Sequence, residues 1–192
     1  MKPRLFICLF LLALAAPALA DSVTLKFTNL NITNPGGQSA SGSVMAGDLV
    51  ATSGPLMLKT PNSALPAQIG SGPFDAVWAF IAQGTNISSL NGYQVSFGVE
   101  ANGKFVGTVN ASISVANGIA TATILNPSLV FQGADRFLQL SFLISPNPVG
   151  LGDGVYDFKA ALAEVPEPQS FALLGLGLSM GATYLRARRK RS

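Results

Sequence analysis

The chain has 192 residues, with 12 Lys or Arg against 9 Asp or Glu, a lone cysteine (Cys8) and no histidine. That excludes a Ser-His-Asp triad, histidine metal sites and disulfide staples. The charge is segregated: Lys2 and Arg4 lead, five basic residues close, and residues 21–167 hold all nine acids against five bases, a net of −4. No nucleic-acid partner is expected, because phosphate binding needs a basic surface on the folded part itself.

Met1 to Arg4 is a short positive region, and Leu5 to Ala16 is an apolar stretch of 12 residues. Ala18-Leu19-Ala20 then places small residues at the −3 and −1 positions before Asp21. These are the parts of a secretory signal peptide over residues 1–20, cut by signal peptidase after passage into the secretion translocon. The apolar stretch is short of the roughly 20 residues that a permanent span needs, which weighs against an uncleaved N-terminal anchor. Cys8 lies inside that stretch, after Ile7, and so is apolar filler and not a lipidation site.

Residues 21–164 read as an all-β domain. Val23-Leu25-Phe27, Tyr93-Val95-Phe97-Val99 and Val109-Ala111-Ile113-Val115 alternate as strands do. Asn91-Gly92, Asn102-Gly103 and Asn117-Gly118 bound these runs, and Asn-Gly supplies the positive φ angles of tight hairpins. A meander over 93–100, 104–115 and 119–125 follows, closed by Asn126-Pro127. Residues 34–72 read as long Pro/Gly/Ser-rich connections with short edge strands. Gly72 to Gln83 fits a short helix or a buried strand, and its strand neighbours favour the latter. Phe137 to Ile144 is apolar enough for a central strand. With no helix to cover a sheet's apolar face, an antiparallel β-sandwich of jelly-roll type is expected.

The chemistry left to this domain is carboxylate chemistry, from eight acids in 21–164. A polysaccharide hydrolase would need two of them flanking one bond, and no spacing marks such a pair. We expect no catalytic residue, no metal and no cofactor. Gly152-Asp153-Gly154-Val155-Tyr156-Asp157 is the densest acidic spot, and it reads as a turn before it reads as a calcium loop. Trp78, Tyr93 and Tyr156 can stack on sugar rings if exposed, although Ala-Val-Trp-Ala-Phe-Ile around Trp78 points to the core. Three Asn-x-Ser/Thr matches, at Asn31, Asn86 and Asn110, fit chance in so polar a chain.

The C-terminus has three parts: Val165-Pro166-Glu167-Pro168, then 15 uncharged residues from Phe171 to Leu185, then Arg186, Arg188, Arg189, Lys190 and Arg191 before Ser192. As a helix at about 1.5 Å per residue, the uncharged run reaches about 22 Å, short of a hydrocarbon core of about 30 Å. Thinning of the bilayer and snorkelling arginines must cover the gap, so the anchor is weak. The basic end stays cytoplasmic, which puts residues 21–164 outside. Pro166 and Pro168 keep the segment around Glu167 extended, as a processing cleft requires.

In that order and position, residues 165–192 resemble the PEP-CTERM sorting tail of Gram-negative bacteria. The resemblance implies an exosortase as processing partner, recognition of Pro166, Glu167 and Pro168, and removal of the tail at or near them. It further implies transient residence in the inner membrane with the domain on the periplasmic side, followed by transfer to the cell surface or the extracellular matrix. It links the domain to exopolysaccharide and biofilm, where it is expected to act without catalysis. Two alternatives are a secreted carboxylate-dependent polysaccharide hydrolase and a single-span surface protein that is never cut.

Overall fold

Alternation of buried and exposed side chains along the chain builds thirteen strands, described by a computed structural model over residues 22–82, 84–145, 154–165 and 176. They are β1 (Ser22–Thr33), β2 (Ser39–Ser41), β3 (Ser43–Met45), β4 (Asp48–Ser53), β5 (Leu56–Pro61), β6 (Leu65–Gln68) and β7 (Phe74–Ile81). After a 3-10 turn at Ile87–Leu90 come β8 (Gln94–Ala101), β9 (Lys104–Ala116), β10 (Ile119–Ile124), β11 (Ser128–Gln132), β12 (Phe137–Ile144) and β13 (Gly154–Glu164).

These strands form two antiparallel sheets. The six-stranded sheet runs β10-β9-β8-β1-β2, with β6 on the same edge of β1 as β2 but at its other end. The seven-stranded sheet runs β11-β12-β13-β7-β5-β4-β3. Their inner faces meet in one core. Phe27 and Phe97 from the first sheet stand edge-on to Phe142 of the second, at centroid distances of 6.5 and 5.9 Å, and Phe97 also meets Phe158 at 5.5 Å. Edge-to-face packing sets the positive rim of one ring against the negative face of the next. Tyr156 also bridges the sheets: its buried hydroxyl donates to the Ala120 carbonyl at 2.7 Å.

The all-β class expected from the sequence is what forms, but the jelly-roll arrangement is not. Eight strands in two Greek keys define that fold. Here β3-β4-β5, β8-β9-β10 and β11-β12-β13 are consecutive meanders. The Asn-Gly turns explain two hairpins: Asn102 and Gly103 have φ of 50° and 74°, and Asn117 and Gly118 have 54° and 73°, the doubly positive pair of a type I′ turn. Asn91-Gly92 does a different job. Asn91 is extended (φ −61°, ψ 126°) and only Gly92 is left-handed, so the pair leads out of the 3-10 turn into β8.

The stretch 34–72, expected as long connections with short edge strands, holds the short strands β2 to β6, and β4 and β5 lie inside the seven-stranded sheet, not at its edge. Gly42 carries the chain from one sheet to the other between β2 and β3. A Cβ there would lie 3.1 Å from the Leu30 Cβ and 3.2 Å from the Leu30 carbonyl oxygen, closer than ordinary contact, so glycine suits the close crossing. The turn expected at 152–157 is also overturned from Gly154 onward. That segment opens β13, in which Tyr156, Phe158, Ala160 and Leu162 all point into the core.

Bulges keep the apolar faces inward. In β1, Asn29 takes a left-handed φ of 51°, and the register slips between Thr28 and Asn31. Phe27 and Leu30, three apart, therefore both face the core. In β7, Ala76 is the extra residue, lying between the pairs Phe158–Val77 and Lys159–Asp75. The buried Thr60 hydroxyl caps its carbonyl at 2.8 Å.

Candidate functional site

The root of the C-terminal tail is built from the end of β13. Pro166 has no N–H with which to extend a ladder, which fits the end of the strand at Glu164. The Val165 N–H donates to the Phe137 carbonyl at 2.9 Å. Arg136, just before β12, reaches Glu164 at 3.1 Å and forks onto Asp135 at 2.9 and 3.0 Å. The fork holds the Asp135 carboxyl below its usual range, chiefly through the hydrogen bond, and raises the Arg136 guanidinium in turn.

The expected sorting residues Pro166, Glu167 and Pro168, the basic residues Arg186, Arg188, Arg189, Lys190 and Arg191, and the signal-cleavage residues Ala18 and Ala20 lie outside the described residues. So does the 171–185 span apart from Leu176, which is helical and exposed. No helix among the described residues is long and apolar enough to cross a membrane.

The outer face of the six-stranded sheet carries one charged cross-strand pair, Lys26 opposite Glu100, and two neutral rows. On the six-stranded sheet, one row across the strands reads Ser39, Thr33, Gln94, Ser112, Thr123. The next reads Ser41, Asn31, Ser96, Asn110. Every position in the two rows is a hydroxyl or an amide, and none is charged. Their chain neighbours Ile32, Val95 and Ala111 are buried, which fixes these side chains outward.

A cavity of about 280 Å³ lies over these rows, lined by Thr33, Gln94, Ser96, Asn110, Leu125 and Asn126 among others. Asn126 forms its wall. The Asn110 N–H donates to its side-chain oxygen at 2.6 Å, and its amide donates to the Thr108 carbonyl, so one side chain stands in for a strand where β10 has ended. The Gln94 and Asn110 side chains make no hydrogen bond to any described residue. Beyond the cavity, Phe105 is 61% exposed. Its ring and the Thr28 hydroxyl crowd over Gly98, where an added Cβ would lie 3.2 and 2.9 Å from them.

The other face is charged and aromatic. Lys59 pairs with Asp48 at 3.0 Å and Lys159 with Asp75 at 3.4 Å. Trp78 lies between Lys59 and Asp157 in a cross-strand row. The sequence context pointed Trp78 to the core, but the structure turns it outward. Val77, Ala79 and Ile81 take the inward positions, and Trp78 is half-buried on the outer surface. Tyr93 and Tyr156 are buried and offer no ring to a ligand. Burial raises the Tyr156 phenol above its ordinary pKa.

Of the carboxylates, Asp75 and Asp157 are brought into adjacent rows beside Trp78, and Asp75 is neutralised by Lys159. No group of three or more potential metal ligands occurs among the described residues. The polar rows were not legible as a site, because their members come from strands far apart in sequence and meet only through register.

No curated protein and no solved structure matches this chain. The PEP-CTERM protein-sorting motif matches residues 164–190, starting at the Glu164 that Arg136 holds. The chain therefore carries a PEP-CTERM protein-sorting motif at its C-terminus, the mark of an exported substrate of an exosortase, behind a β-domain of no recognised family.

Proposed function

We propose that this is a non-catalytic envelope or extracellular-matrix protein associated with exopolysaccharide, delivered through its tail. Residues 171–185 hold it across the inner membrane, Arg186 to Arg191 stay in the cytoplasm, and the β-domain stands on the periplasmic side until exosortase acts at or near Pro166, Glu167 and Pro168. One observation carries the reading: the match over 164–190 begins where the folded sheet ends. Only five residues, 166–170, separate Val165 from the apolar run, a reach of at most about 18 Å. The folded body is thereby kept near the bilayer, within reach of a membrane-embedded enzyme. The absence of histidine and the ion pairs on Asp48, Asp75, Asp135 and Glu164 support a structural role over a hydrolytic one.

Intact mass of the protein from its native host tests the delivery. Loss of everything after about Pro168 is expected, and a Glu167→Ala variant is expected to keep its tail. A full-length C-terminus on the wild-type protein refutes sorting and identifies an uncut anchored protein.

A further inference from the structure

We infer that the outer face of the six-stranded sheet is a binding site for a neutral polysaccharide, centred on Gln94, Ser96 and Asn110. The inference rests on the reading above that the domain works among exopolysaccharides, and it names where and which kind. Three observations carry it. First, the two rows around Gln94, Ser96 and Asn110 present only neutral groups, which the hydroxyls of an uncharged sugar can pair with by hydrogen bonds, and the charged pair on the same face, Lys26 opposite Glu100, lies outside them. Second, the Gln94 and Asn110 amides are unengaged by any described residue, yet they line a cavity of about 280 Å³, near the lower limit of roughly 300 Å³ for small-molecule sites. Third, Leu125, 62% exposed, walls the cavity, and Phe105 continues the strip beyond Gly98, so apolar surface is available for the faces of sugar rings.

Charge selects among polysaccharides. The stretch 21–167 carries a net −4, and its lysines on the opposite sheet are held by Asp48 and Asp75. A polyanionic chain would be repelled by the domain as a whole and would find no cation in the cavity. Strands laid side by side repeat the same amides and hydroxyls across the sheet, which suits a linear chain lying over several residues at once.

The test is affinity electrophoresis of the protein purified from its host, in gels holding hydroxyethylcellulose, glucomannan or dextran, with alginate as the anionic control. Retardation by at least one neutral polymer and none by alginate is expected. The double variant Q94A/N110A, which removes two exposed amides, should weaken retardation about tenfold with an unchanged melting temperature. Trp78→Ala, on the other face, should leave it unaltered. No retardation in any neutral gel, retardation that survives Q94A/N110A, or retardation lost with Trp78→Ala would overturn the inference. Failure here is separable from failure of delivery, since tail removal is read by mass on the same preparations. Should the host's own exopolysaccharide co-purify while Q94A/N110A changes nothing, the association stands and the assigned site falls.

Discussion

Replacing Tyr156 by Phe removes one oxygen from the centre of the sandwich and tests how the two sheets are coupled. The hydroxyl is buried and donates at 2.7 Å to the carbonyl of Ala120, on the edge strand β10 of the opposite sheet. The ring stays, so the apolar burial is kept, while the Ala120 carbonyl loses its donor. A buried acceptor left unsatisfied costs about 1–3 kcal/mol. For a domain of this size that is a fall in melting temperature of roughly 3–10 °C. The pH dependence supplies a second reading. Burial raises the phenol pKa in the folded state, so the proton is held more tightly there than in the unfolded chain. The contribution is full below the ordinary phenol pKa of about 10 and is lost as pH climbs through the raised folded value. Thermal melts followed by circular dichroism at about pH 7 and about pH 10.5 should therefore show the wild-type advantage shrinking at the higher pH. A variant within about 1 °C of wild type at neutral pH, or a gap that is the same at both, refutes the coupling.

Two further substitutions probe the core. Thr60→Val keeps the shape but strips the cap from the Ala76 carbonyl in the β7 bulge, and should cost about 1–3 kcal/mol by denaturant titration; a loss below about 0.5 kcal/mol would show that the bulge holds itself. Phe97→Ala removes the ring that touches Phe27, Phe142 and Phe158 together, and should cost about 3–5 kcal/mol in the same assay; a loss under about 2 kcal/mol would mean that the core closes over the gap.

Local chemistry made part of this fold legible. The meander β8-β9-β10 follows from alternation and two Asn-Gly turns, each acting within a few residues, and Asn126 closes it with its side chain. The strands of 34–72 were legible only as short edge strands, because none exceeds six residues and Gly, Pro and Ser break up the segment between them. The β3-β4 turn also uses Ala46-Gly47, with φ of 49° and 88°, where Asn or Asp would have signalled it. β13 was hidden for a different reason. Its alternation through Tyr156, Phe158, Ala160 and Leu162 stands in the sequence, but the glycines and aspartates before it drew the eye to a turn. The outward Trp78 and the neutral rows depend on register and bulges, which are set by pairing between distant segments.

The position of β13 has a mechanical meaning. The strand that leads into the tail is hydrogen-bonded on both flanks, to β12 through Glu164–Leu138 and its neighbours and to β7 through Gly154–Ile81 and its neighbours. Tension applied to its C-terminal end along the strand axis loads both ladders in shear at once, whereas a strand at a margin can be peeled away one bond at a time. A protein tethered to a surface from that end would resist flow through the interior of its seven-stranded sheet.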